Sequence, residues 1–339
     1  MNHLIEKKQS LLNELGELCE PGYATKSIFT YDRNMIKASK WRIKEWDYYA
    51  CLTDDYAFSF TIADLAYLGM ITVSFLDFKT GIEIKKVKML PFTFGRFNLP
   101  NNVDSGDISF HSNDLDLHFL KNNDYREIKV RVKNFDKDKT YKANLVLYDY
   151  NDERMVIATP WKENKKAFYY NQKLNCMPVE GSVSIGEKEY IFNKEKHFSV
   201  LDWGRGVWTY KNTWYWGSLS GMIDGKRFGF NIGYGFGDTS QASENMLFYD
   251  GKAHKLDEIS FHLNENNFMQ TWKFTSNDGR FEMTMKPILD RKDHTNLLII
   301  KNFGHQVFGF FSGFAILDDG TKLKIDNLIG FAEKITNHY

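Results

Sequence analysis

An aspartate set among apolar residues and glycine is the first candidate for chemistry in this chain. In the segment HFSVLDWGR (197–205), read as a strand, Phe198, Val200 and Asp202 share one face, while His197, Ser199, Leu201 and Trp203 share the other. A carboxyl group in apolar company is disfavoured in its charged form, which raises its pKa and suits it to donate a proton. Arg205, three residues on, offers the structural alternative, a buried ion pair with Asp202.

The residues that follow are dense in glycine and tryptophan: LDWGRGVWTYKNTWYWGSLSG (201–221), GFNIGYGFGDTS (229–240) and ENMLFYDGKAHKL (244–256). Nine of the 24 glycines and four of the eight tryptophans fall between Trp203 and Gly237. Glycine inside strands lets a ligand or another backbone approach closely, or lets a sheet bend. The ring faces of Trp208, Trp214, Trp216 and Tyr234 suit a cationic intermediate, although core packing accounts for the same residues. Trp203, Arg205, Tyr210, Asp238, Glu244 and Asn245 complete the candidate ligand-binding set, with Asp238 and Thr239 also readable as a loop cap. Asp114, Asp116 and His118 share a strand face and read as a solvated surface or, less simply, as metal ligands; no metal is expected. GYGFGD lacks the third glycine of a dinucleotide cradle, GSLSG misplaces its serine for a nucleophile elbow, and neither HExxH nor GxxxxGK[ST] occurs, so no cofactor is expected.

These groups must be held by sheets. Aromatic residues make up 16% of the 339, with 28 Phe and 18 Tyr against 6 Pro, a composition that packs well on pleated surfaces. Ile128, Val130 and Val132 alternate with Lys129, Arg131 and Lys133, and Phe281, Met283 and Met285 alternate with Glu282, Thr284 and Lys286, the pattern of half-buried antiparallel strands. Turn signals such as IDG (223–225), YDG (249–251) and SNDG (276–279) recur, and roughly 16 to 20 strands are expected. Only the first segment has helical spacing: Leu4, Ile5, Leu11, Leu12, Leu15 and Leu18 predict an amphipathic helix over 3–19, docked on the body, on a partner or on a membrane surface, and ended by Pro21-Gly22.

A faint repeat divides the rest. The stretch from Trp46 (WDYYACLTDDYAFSFTI) resembles that from Trp214 (WYWGSLSGMIDGKRFGFNI), and 116–133 resembles 270–287 in the same order, which argues for duplication. The expected organisation is an N-terminal helix (1–21), a first unit (22–185) and a second (186–339).

Lys plus Arg and Asp plus Glu are both 44, so the formal net charge is zero and nucleic acid is not an expected partner. Cys19, Cys51 and Cys176 are far apart and odd in number, which suits a reducing compartment. The first residues carry acids and lack a continuous apolar stretch, and no uncharged run reaches the roughly 18 residues of a membrane helix, so a soluble, cytoplasmic protein is expected.

The 201–256 block, with PWKENKKAFYYNQKLNCMPVEG (160–181) and HQVFGFFSGFAILDDG (305–320), resembles a bacterial domain-of-unknown-function family. More distantly the chain is similar to the group of AttH-type proteins and carotenoid 1,2-hydratase, and beyond it tocopherol cyclase. That resemblance implies an all-β chain of two lipocalin-like (calycin) antiparallel barrels, here with the N-terminal helix added. It also implies an elongated apolar ligand such as an isoprenoid, polyene or fatty acyl chain. In the hydratase an aspartate protonates an isoprenoid double bond, and Asp202 matches it, while the family's neighbouring tyrosine and histidine are replaced here by Val200 and Trp203. The expected function is thus apolar ligand binding, with Asp202 as the acid of a cofactor-free hydratase, isomerase or cyclase. The alternatives are a non-catalytic lipid carrier or sensor, and a plugged double barrel that serves a partner.

Overall fold

Alternation of apolar and charged side chains becomes strand pairing along nearly the whole chain. The computed structural model describes residues 2–297 and 300–338. Ile128, Val130 and Val132 point inward from the strand Tyr125–Asp136 while Lys129, Arg131 and Lys133 meet solvent, as the period of two requires. Hairpins close where expected: Asp224 and Gly225 both have positive φ (50° and 74°) in a two-residue turn that pairs Ile223 with Lys226.

Two curled antiparallel sheets result. The first runs, neighbour by neighbour, through Ile82–Pro91, Leu68–Asp77, Tyr56–Asp64, Ile43–Leu52, Phe198–Val207, Asn164–Ile185, Lys139–Tyr148, Tyr125–Asp136, Leu115–Lys121 and Ile108–His111. The second runs through Lys252–Lys255, Met246–Tyr249, Lys226–Tyr234, Lys211–Ile223, Lys322–His338, Ile300–Ile316, Phe281–Leu297, Trp272–Ser276 and Ile259–His262. In both, the strand that opens this path in the chain, Ile43–Leu52 or Lys211–Ile223, pairs with the one that closes it, Phe198–Val207 or Lys322–His338, and the other strands unroll to either side. The two stretches that match in sequence, from Trp46 and from Trp214, both begin in the opening strand of their sheet. Lys188–Phe192 and Phe198–Val207 pair into the first sheet, so the change of sheet falls between Val207 and Lys211, some twenty residues beyond 185.

The sheets curl as half-barrels around filled interiors. Phe58, Phe75, Tyr141 and Tyr190 interlock inside the first, and Phe230, Phe274, Phe281 and Phe311 inside the second. The outer faces of the two opening and closing strand pairs pack on each other, joined by Phe78 against Phe308 and Tyr48 against Trp216.

The expected helix over 3–19 is not formed. Gln9–Ser10 instead pairs in parallel with Phe29–Thr30, and Leu4 bridges Tyr23. Asn13 accepts the backbone N–H groups of Leu15 and Glu17 through its side chain, and Gly16 turns with φ of 75°, which closes a tight loop where a helix would continue. Ile5, Leu11 and Leu12 are buried by this extended path and Leu15 is exposed, so the apolar spacing reflects docking points rather than one helical stripe.

Candidate functional site

Register places the candidate site between the two sheets. Lys173, Asp202 and Tyr48 are direct cross-strand neighbours in the first sheet, so their side chains emerge from one face in a row. Trp216, Glu333 and Gln306 form the corresponding row in the second. The rows meet: Lys173 Nζ lies 3.9 Å from the centroid of the Trp216 ring, and Tyr48 Oη donates to Gln306 Oε1 at 3.3 Å.

Asp202 is buried as the carboxylate of an ion pair. Lys173 Nζ lies 2.8 Å from its Oδ2, and Asn171 Nδ2 donates to its Oδ1 at 2.7 Å. The expected alternative partner, Arg205, is not the one found. Residues 202 and 205 differ in parity, so Arg205 points into the first half-barrel, where it pairs with Asp47 at 3.0 Å and lies over the Trp203 ring.

Among the described residues, the partners in contact with Glu333 are neutral. Trp214 Nε1 donates to its Oε1 at 2.9 Å and Gln306 Nε2 to its Oε2 at 3.1 Å. Burial pushes its carboxyl up to about 7, opposed by the Trp214 hydrogen bond and the Lys173 charge and helped by Asp202. Glu244, also buried, is raised by the same desolvation, with Lys173 and the nearby Tyr169 hydroxyl working against it. One ammonium thus sits among three carboxyl groups, two of them shifted toward the neutral form. Such a set can donate a proton from Glu333 while the ionised Asp202 and the ring faces stabilise positive charge.

The surrounding walls are aromatic. Trp208 packs against Trp46, Trp161, Tyr169, Trp214 and Phe236, and Phe331 lies against Trp216. Gly204 lets the Trp46 ring lie directly on the backbone, where an added Cβ would fall 2.1 Å from it. A concavity of about 210 Å³, open solvent at its mouth included, runs along the same seam, lined among others by Val200, Ser218 and Phe331. Each of these is two positions from Asp202, Trp216 or Glu333 on the same strand, so the groove and the polar cluster share one face.

Of the residues expected from sequence, Asp202, Trp208, Trp214, Trp216 and Glu244 come together here. Trp203 and Arg205 lie in the first half-barrel, and Tyr234 stacks on Tyr215 on the far face of the second sheet. Tyr210 is on the surface. Asp238 caps Ser240 N in a loop near Lys162, and Asn245 is spent on Gly233 N and Asp257 O. Asp114 pairs with Lys88, Asp116 with His111, and His118 with Ser109, on the outer face of the first sheet. Lys173, Asn171, Tyr48, Gln306 and Glu333 were not anticipated; the repeat was the signal that could have found them, because it aligns Tyr48 with Trp216 and hence the strand neighbours of each.

A family model described as "Domain of unknown function" (DUF2804) matches residues 2–339. No curated protein matches the chain in sequence. Among solved structures, the fold is similar to a protein described as AttH from Nitrosomonas europaea, with a TM-score of 0.54 at 12% identity over 90% of this chain and 95% of that one. It is likewise similar to kievitone hydratase from Nectria haematococca, with a TM-score of 0.52 at 11% identity over 93% and 96% of the two chains. At these identities the likeness establishes the lipocalin-like, two-unit fold and nothing about residues.

Proposed function

The chain belongs to the DUF2804 family, and from the geometry of its central seam we propose that it binds an elongated, unsaturated apolar molecule between its two sheets and moves a proton onto or off it without a cofactor. The observation that carries this reading is the unlike pair of buried carboxyl groups: Glu333 held neutral up to about pH 7, and Asp202 held as an ion pair by Lys173. In a hydration, the Glu333 proton passes to one alkene carbon, water bonds to the other, and the proton released by that water restores the acid. Isomerisation or cyclisation uses the same first step. Asp202, expected from sequence as the acid, acts in this reading as the fixed negative charge that faces the developing cation. That one structural neighbour is named a hydratase supports the class of reaction.

The bound molecule itself supplies the substrate for a test. Protein purified from its own host is extracted with organic solvent, and bound molecules are identified by mass spectrometry; the recovered compound is then incubated in deuterated water with the wild type and with Glu333→Gln. Retention of an isoprenoid, polyene or acyl compound by both, with deuterium entering it only in the wild type, is expected. Equal labelling by both proteins overturns the role of Glu333.

One observation favours a second, non-catalytic reading. Both half-barrel interiors are filled, and the three concavities along the described residues leave room for about one water molecule each, far short of a small-molecule site. A carrier that opens only on loading, or a plugged scaffold that serves a partner, fits that packing. An empty extract decides for the scaffold.

A further inference from the structure

We propose that one end of the first sheet docks on an anionic lipid bilayer. Four connecting segments meet there: 39–44, 64–68, 89–98 and 208–212. Trp41 is 53% exposed and Phe92 57%, and Trp41 stands edge-on to Phe92 and Phe94 with centroids 6.2 and 4.9 Å away. Tyr210, 46% exposed, joins them through Arg42, whose guanidinium lies 5.6 Å from its ring centroid.

This exposure is built. Phe92 and Phe94 have φ of 54° and 46°, a left-handed backbone that bulky residues rarely adopt and that persists only where the surroundings impose it. Two fully buried charged side chains impose it. Asp64 accepts the N–H of Ala66 at 2.9 Å and of Gly95 at 2.7 Å, and Lys44 Nζ donates to Leu65 O at 2.7 Å and Trp41 O at 3.4 Å. Arg96 then clamps the loop from outside through Phe92 O at 2.7 Å. The aromatic side chains are therefore presented by a pinned scaffold.

Charge selects the occupant. Apart from buried Lys44, the four segments carry Lys40, Arg42, Arg96 and Lys211, and their one acid is the buried Asp64. Aromatic residues interleaved with cations match the headgroup zone of a negatively charged membrane. The docking surface stands independently of the proton-transfer reading.

Flotation of the full chain with vesicles of phosphatidylglycerol and phosphatidylcholine in equal parts, beside vesicles of phosphatidylcholine alone, tests it. Binding to the anionic vesicles only, weakened by added salt, is expected. Trp41→Ala/Phe92→Ala should lower it by roughly tenfold, and Lys40→Glu/Lys211→Glu by at least about tenfold, with far-UV circular dichroism unchanged because all four side chains are exposed. Absence of binding to anionic vesicles, variants that bind as the wild type does, or lipid-free self-association abolished by the aromatic pair overturns the proposal, the last in favour of a protein contact.

Discussion

Asp202 and Glu333 occupy the same station in the two halves of the molecule. Each lies on the closing strand of its sheet, directly opposite an aromatic residue of the opening strand, Tyr48 for one and Trp216 for the other. Their other neighbours, Lys173 and Gln306, also correspond, and the contacts cross reciprocally, Lys173 to Trp216 and Gln306 to Tyr48. Matching stations thus place two carboxyl groups in one seam, and the identity of one neighbour distinguishes them. Lysine holds the first as an ion pair, while glutamine leaves the second without a cation in contact.

Removal of both members of the ion pair should therefore cost less than the sum of the two single removals. Lys173→Met leaves Asp202 buried without its cation, and Asp202→Asn leaves a buried ammonium, each worth about 3–5 kcal/mol of lost stability. The Lys173→Met/Asp202→Asn double variant should fall short of the sum by roughly 1–3 kcal/mol in urea unfolding. Simple additivity would mean that the two groups do not interact.

Stability should pass through a trough near neutrality. Glu333 rises from 4.5 in the unfolded chain to about 7 in the fold, so the folded state keeps a proton that the unfolded chain releases. That contribution is complete below about pH 4.5 and is lost as pH climbs to about 7, roughly 3 kcal/mol at 1.36 kcal/mol per unit. Lys44 and Lys255 act with the opposite sign. Burial lowers both from 10.5 to about 7, so the penalty for taking their ammonium groups out of water is full below about pH 7 and fades as pH rises toward 10.5. Urea midpoints at about pH 5, 7 and 9 should be lowest in the middle, and Glu333→Gln should flatten the acid arm while the alkaline arm remains. A wild-type maximum at neutrality would refute the assignment.

What could be read from sequence was whatever depends on near neighbours. Alternation at 128–133 and 281–286, the Asp-Gly turns and the repeated aromatic openings all express local geometry, and all recur in the fold. Parity alone separates Asp202 from Arg205. Glu333 was illegible because FAEKIT (331–336) is an ordinary half-buried strand, and its meaning arises from Asp202, 131 residues earlier, across a seam between sheets. Lys173 was hidden likewise, since a partner 29 residues away on another strand competes poorly on paper with an arginine three residues off.

The N-terminal segment offers the sharpest contrast between pattern and structure. A helix over 3–19 would set Leu12 and Leu15, three residues apart, on one buried stripe, so that truncation of either would cost alike. In the fold Leu12 is 2% exposed and Leu15 65%. Leu12→Ala should therefore lose about 2–5 kcal/mol, while Leu15→Ala stays within about 0.5 kcal/mol of the parent. Asn13→Ala adds an independent check. It removes the side-chain acceptor for Leu15 N and Glu17 N, which would favour a helix but should weaken the observed loop, by about 1 kcal/mol. Equal losses at Leu12 and Leu15, with a gain at Asn13→Ala, would restore the helix.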